Sequence, residues 1–427
     1  MKSTGLFLEE HKLRASAIDM EAFVRVFMED MRNGLVGKDD ALRMIPTYIE
    51  AENDFLKEIP VLAIDAGGTN FRAAQISFTR AGKIETSEII SRRMPGLEKE
   101  IPAKEFFGII SDYIKPLAES SKRIGFCFSY PTEILPNRDG RLIQFCKEVQ
   151  APEVVGQLIG KNLIETLGTP GKQIVLLNDT VATLLSGKSA TEGKSYDSFI
   201  GFILGTGTNT CYIEHNRNIL KNKNLNQNRS QIINIESGNF GKAPRTDLDI
   251  LFDNSTMNPG SYTFEKMFSG GYFGGLCLTV MKQAAREGVF LPATAAMIHS
   301  LAELSTNDAN NFSTDPVSDK NILKKCFATT EDTDKGLYII ETLIDRAAKL
   351  VAANLAAVIL KTDKGRYSDK PVLITIEGTA FYKLHNLRNL FENYLEEFLS
   401  GERKRYVEFA EVEKSSLIGA ALAALIN

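Results

Sequence analysis

The chain has no tryptophan, four histidines that stand apart, and five cysteines scattered as Cys127, Cys146, Cys211, Cys277 and Cys326 without a C-x-x-C pair. That spacing excludes a zinc site of the usual kind and argues for reduced thiols and a cytoplasmic setting. No stretch approaches the ~20 apolar residues of a membrane span, and the N-terminus lacks the apolar core of a signal peptide. Strong charge of either sign is also missing. A net charge of −4 gives no electrostatic reason to expect a nucleic acid or an anionic membrane as partner. The basic run Arg403-Lys404-Arg405 reads as a solvated face. No linker divides the 427 residues into independent modules, and 43% hydrophobic with 24% charged residues is the balance of a soluble globular protein of two or three domains.

The informative stretch is Ile174 to Glu214. An apolar run, Ile174 to Leu177, ends on Asn178-Asp179-Thr180 and leads into a helix of small residues. This sets a carboxylate at the carboxyl end of a strand, where open α/β sheets place their ligands. A second run, Phe199 to Leu204, stops at Gly205-Thr206-Gly207, where backbone N–H groups can approach an anion with no Cβ in the way. By itself such a turn is a weak signal. Earlier in the chain, however, Val61 to Arg72 reads V-L-A-I-D-A-G-G-T-N-F-R, and D-A-G-G-T-N aligns with L-G-T-G-T-N. A strand–turn–strand unit present in both halves predicts two similar α/β domains facing one another across a cleft.

The remaining segments are placed by periodicity and punctuation. Residues 1 to about 58 read as helical, with Phe23, Phe27 and Met31 on one face and Gly34 as the stop. Val61 to Arg93 reads as a three-strand meander whose last member is Ile84 to Arg92, and a helix is expected from Lys104 to Ser120. Ser129-Tyr130-Pro131 follows an apolar run, and a polar loop through Asn137 to Gly140 leads to Cys146-Lys147. Gln231 to Ile235 is a strand that delivers Glu236. Glu265 falls in the first turn of a helix, and residues 304 to 321 read as loop. Leu337 to Lys361 is a long helix buried on one face. Val372 to Ile376 is a strand ending at Glu377-Gly378-Thr379, and Ser415 to Ile426 is a helix with a serine near its cap position.

These motifs, in this order, resemble those of the hexokinase family of sugar kinases, over most of the chain from Val61 onward. The resemblance implies an α/β fold of two actin-like ATPase (ribonuclease H-like) domains flanking a central cleft. The small domain would span 59–190, completed by 411–427, and the large domain 191–410, with residues 1–58 packing on it. I-D-A-G-G-T-N-F-R is similar to the family's first phosphate motif, which makes Asp65 the magnesium-organising carboxylate, acting through water, with Gly67, Gly68, Thr69, Asn70 and Arg72 beside the nucleotide. G-T-G-T-N resembles the second phosphate motif, Gly205, Thr206 and Gly207, followed by a sugar-binding Asn209. I-E-G-T-A-F resembles the adenosine motif and implies Gly378 and Thr379. The resemblance further implies Asp179 as general base, Lys147 as a second catalytic residue, and Ser129, Cys146, Lys147, Asn178, Asn209, Glu236 and Glu265 around the sugar.

The implied activity is ATP- and Mg²⁺-dependent phosphorylation of the 6-hydroxyl of a hexose, glucose first. Mannose, fructose or an amino sugar is the alternative substrate, and a hexose sensor with little turnover the alternative class. The chain departs from the family pattern at Cys146, where a threonine is usual, at Ser237 and Tyr262, at Glu377 in place of aspartate, and in its last motif, E-K-S-S-L-I-G-A-A. The first phosphate motif shows no evident cationic partner for Asp65.

Overall fold

Both sheets of the protein grow from a hairpin at a glycine turn. The computed structural model describes residues 2–51, 54–145, 149–191 and 194–426. In one sheet Val61–Gly67 pairs antiparallel with Asn70–Phe78 and parallel with Arg123–Phe128, which pairs parallel with Gln173–Leu177. In the other, Ser198–Leu204 pairs antiparallel with Thr208–His215 and parallel with Val372–Glu377, which pairs parallel with Val407–Ala410. An antiparallel strand adds to each, Ile84–Thr86 in the first and Ser230–Asn234 in the second, where the short Ile45–Pro46 pairs beyond it at the edge. The same five-strand order therefore occurs twice, and the repeated turn in the sequence is the seed of each copy.

The buried residues form three cores. The largest packs the helices Met20–Val36, Phe273–Arg286 and Thr330–Thr362 on the second sheet. A smaller one packs Ala103–Ala118 and Ile159–Leu167 on the outer face of the first. Between the sheets lies the third, in which Asp179–Ser189 and Ser415–Leu425 are packed against Val61, Ala63, Val175 and Cys211. Its packing is close: a Cβ on Gly125 would fall 1.8 Å from the Ala420 carbonyl oxygen.

Several elements differ from the sequence reading. The first long helix runs through Gly34 to Val36 and stops at Gly37, whose φ of 87° lies in the left-handed region. The third meander strand is two pieces, Ile84–Thr86 and Ile90–Arg93, each paired with Asn70–Phe78. Residues 132–142 form a two-stranded hairpin in place of a long loop. Thr306–Thr314 is a helix in spite of its polar composition, because Ser305 caps it and Ala309 and Phe312 are buried. The long helix begins at Thr330, and from Leu350 to Ile359 it is buried all round. Arg405 is buried against Asp363 and is no solvated cation.

Five parallel strands end at the candidate residues. Val61–Gly67 carries Asp65; Arg123–Phe128 leads to Ser129; Gln173–Leu177 leads to Asn178; Ser198–Leu204 leads to Gly205; Val372–Glu377 ends beside Gly378. The carboxyl ends of both sheets thus supply one site.

Candidate active site

The first turn brings a charge pair into register. Asp65 lies opposite Arg72 across the hairpin and beside Cys127 on the parallel strand. Arg72 donates from Nε at 2.9 Å and from Nη2 at 2.5 Å to Asp65 Oδ2. This corrects the reading of Asp65 as lacking a cationic partner: the two-residue turn places position 72 directly across from it. Burial still pushes the Asp65 carboxyl above its ordinary range, against the lowering effect of Arg72. Ser129 donates its N–H to the Ala66 carbonyl at 3.0 Å, and the Tyr130 hydroxyl donates to Gly68 O at 2.8 Å, which fixes the turn.

The second turn is held by its carbonyls. Gly270 N donates to Gly205 O and Gly271 N to Thr206 O, both at 2.8 Å, and Ser269 Oγ donates to Thr206 O at 2.9 Å. Thr208 N donates to Glu265 Oε2 at 2.8 Å, and a Cβ on Gly207 would lie 2.5 Å from that same oxygen. Gly378 has a φ of 119° and would carry a Cβ 2.3 Å from the Leu204 carbonyl, so a side chain there is excluded twice over. Glu265 opens a single 3-10 turn, Glu265–Met267, rather than a full helix.

Between the turns stands Asp179. Asn178 caps its helix, accepting from Val181 N at 3.0 Å, while Asp179 Oδ1 accepts from Thr180 N at 2.7 Å. Part of the Asp179 side chain remains open, yet its carboxyl is pushed up to about 6, first by desolvation and then by the charge of Glu377. Glu236 and Asp65 add to the same effect. Four carboxylates from four separated segments therefore converge. Glu377 itself accepts from Thr183 Oγ1 at 3.0 Å and from the Ser415 hydroxyl. Ser415 thus does not cap the last helix, whose cap position is Lys414.

On the side of the second sheet a polar network forms. Asn209 Nδ2 donates to Asn234 Oδ1 at 2.8 Å, and Asn234 Nδ2 donates to Glu236 Oε1 at 2.8 Å. Asn209 Oδ1 accepts from Thr210 N at 2.7 Å. Glu236 is held at a φ of 60° and is buried enough that desolvation raises its carboxyl. Thr69 lies in the first turn, Asn70 opens the strand that follows it, and Thr379 opens the short helix Thr379–Lys383 after Gly378, while the readings of Cys146 and Lys147 fall outside the described residues.

Asn234 and Cys127 carry no motif-based expectation of a role, and Glu377 enters the sequence reading only as a departure within the adenosine motif. Asn234 ends its strand two residues before Glu236, and this N-x-E spacing just after an apolar run is a usable signal. Glu377 closes an apolar run just as Asp65 nearly does. Cys127 is signalled only by the register that sets it beside Asp65, and its thiol is pushed well up by burial and then by the charges of Asp65 and Asp179.

A duplicated sheet with paired glycine turns and converging carboxylates defines an actin-like ATPase fold. Two models of the family described as hexokinase match residues 8–189 and 199–426, and the chain belongs to the hexokinase family, a family of sugar kinases. It is 28% identical over 435 residues to Hexokinase-3 of Oryza sativa subsp. japonica, covering 95% of this chain and 86% of that protein. It is 31% identical to Hexokinase-3 of Homo sapiens, covering 83% of this chain and 40% of that longer one. The solved hexokinase from Schistosoma mansoni complexed with glucose superposes with a TM-score of 0.78 at 22% identity, covering 99% of each chain.

Proposed function

We propose that this chain transfers the terminal phosphoryl group of ATP to the 6-hydroxyl of a hexose, glucose first, with Asp179 as general base. The observation that carries the proposal is Asp179 itself. It is an aspartate raised to about 6 at the carboxyl end of a strand, between two glycine turns. A base poised near the working pH is largely ionised yet still takes up a proton readily.

In the reaction the hydroxyl proton passes to Asp179, the sugar oxygen bonds to the terminal phosphorus, and the bond to the bridging oxygen breaks to release ADP. Gly67, Gly68, Thr69, Asn70 and Arg72 on one side and Gly205, Thr206 and Gly207 on the other would hold the phosphates. Gly378 and Thr379 would sit by the adenosine. Asn178, Asn209, Glu236, Glu265 and Ser129, with Cys146 and Lys147, would hydrogen-bond the sugar, and Lys147 would also assist catalysis.

The donor set suits magnesium: hard carboxylate oxygens at Asp65 and Glu377, and no group of three histidine, cysteine or acidic residues among the described ones that would hold a metal directly. Asp65 would then act through water, and the ion would neutralise phosphate charge. We place the hinge between residues 59–190 with 411–427 and residues 191–410 with 1–58. Saturating hexose alone is expected to lower the radius of gyration in solution scattering; an unchanged profile with demonstrated binding would remove the hinge.

The deciding experiment is ADP release from Mg-ATP across a panel of hexoses, paired with calorimetric sugar binding. Turnover with glucose at the highest kcat/KM is expected. A higher value for mannose, fructose or an amino sugar would replace glucose, and tight binding without turnover would make the chain a sensor.

A further inference from the structure

The amino ends of the first sheet's strands, on the edge away from the candidate active site, border a cavity of about 340 Å³. Arg123 opens one strand and Gln173 another, and the hairpin 132–142 and the helix Ile159–Leu167 complete its walls. Arg123 lies four residue steps, roughly 13 Å, along its strand from Cys127.

Its charge is one-sided. Arg123, Arg138, Lys161 and Lys172 line it, against the single carboxylate of Asp139. Asp139 is buried and already committed, accepting from Gly140 N and Gly160 N at 2.7 Å and from Lys161 N at 2.9 Å. Among the described residues Arg123, Arg138 and Lys172 form no ion pair, and Lys161 has only an exposed contact to Glu165 at 3.9 Å. Their protein partners are carbonyls at or just past helix ends. Arg123 Nη1 donates to Ala424 O at 2.9 Å, Arg138 Nη1 to Ile426 O at 3.2 Å, and Lys172 Nζ to Ala118 O and Ser121 O.

Such contacts cap two helices, and capping alone would explain one or two cations. Each helix end supplies roughly half a unit of negative charge. With Asp139 counted, and with Glu50 acting on Arg138 but already paired with Arg229, about two positive charges remain among the described residues without a carboxylate of their own. Each guanidinium donates from Nη1 to one carbonyl and carries five donors in all. Arg138 is held at a φ of 65°, and burial followed by the neighbouring Arg123 lowers its affinity for its own proton. Two guanidiniums crowded in this way suit a dianion that both can approach.

We propose that this cavity binds a small phosphate dianion, free or as a phosphomonoester, through Arg123, Arg138, Lys161 and Lys172. The test is calorimetric titration of the full chain with inorganic phosphate, for the wild type, Lys161→Gln and the double variant Lys161→Gln/Arg138→Gln. Lys161 caps no helix, so its variant keeps the fold, which thermal unfolding checks. Phosphate affinity is expected to fall about threefold in Lys161→Gln and at least about tenfold in the double variant, while Mg-ATP affinity and turnover stay unchanged in Lys161→Gln. Absence of binding up to about 20 mM phosphate, or an isotherm that Lys161→Gln leaves untouched, overturns the site. In the second case the phosphate belongs to the glycine turns.

Discussion

Where the first hairpin has Asp65 two residues before its glycine, the second has Leu204; where the first has Arg72, the second has Cys211; and Asn70 of the first matches Asn209 of the second. The strand order is shared, but the register and the side chains are not: Asp65 faces Arg72 across the first turn, whereas Leu204 faces Thr208 across the second. In the first hairpin the Asp65–Arg72 pair presents charge at the turn and Asn70 is exposed. In the second, Leu204 is buried, Cys211 donates to the Thr180 carbonyl at 3.1 Å, and Asn209 is tied to Asn234. One copy therefore keeps a charge pair at its turn, and the other has turned its matching positions into core and a polar network; under the proposed function the first would serve the metal and phosphates and the second the sugar. A repeat preserves what the backbone must do, and its two copies are free to differ in what the side chains do.

The largest expected effect tests the charged half. Without a divalent ion, ATP would face Asp65, Asp179 and Glu377 together, so chelating Mg²⁺ should abolish ADP formation while calorimetric sugar affinity stays within about threefold. Sustained turnover without the metal would break the division of labour between the hairpins. Next in size, Asp179→Asn should bind sugar normally and lose roughly 10²- to 10⁴-fold in kcat; retaining more than about a tenth of wild-type kcat would remove Asp179 as base.

The same substitution has a stability signature. The folded carboxyl is raised from 3.8 to about 6, so the native state binds the proton more tightly than the unfolded chain. The cost of ionising it in the fold is absent below 3.8, grows through that interval and is complete above 6. Asp179→Asn should therefore raise Tm at pH 8 and raise it less at pH 5. An equal shift at both would mean the burial does not penalise the charge.

The second half is tested by Asn234→Ala. It strips Glu236 and Asn209 of a partner, and an unsatisfied buried polar group costs about 1–3 kcal/mol. KM for the hexose should rise roughly tenfold or more, with ATP affinity unmoved; a matching loss of ATP affinity would show that the halves are not separable. The smallest effect belongs to Cys146→Thr. A hydroxyl is the better donor, so KM for glucose should fall by roughly two- to tenfold with kcat little changed. If KM for glucose rises while another hexose improves, the pocket is shaped for that other sugar.

The parts of this protein legible in its sequence are those where an apolar run stops at glycine or at a polar pair. Val61–Gly67, Gln173–Leu177, Ser198–Leu204 and Val372–Glu377 all announce themselves this way, and so does Asp179. The pairing of Asp65 with Arg72 needed the register across a two-residue turn. The meeting of Glu377 with Asp179 joins segments far apart in the chain, and no local pattern contains it. The helix Thr306–Thr314 was hidden for another reason: its polar composition says loop, and burial of Phe312 overrides it.

The last helix, Ser415–Leu425, covers the inner face of the first sheet, where Val61, Ala63, Val175 and Leu177 are buried. On the ribosome that face is complete once residue 177 has emerged, yet its cover is made only after the whole second sheet. At about 5–20 residues per second the delay is on the order of ten to fifty seconds. Throughout it an apolar sheet surface stands open beside a half-made chain. Nascent chains stalled before residue 415 should be cut readily within 61–177 by added protease, and chains extended past 425 should resist.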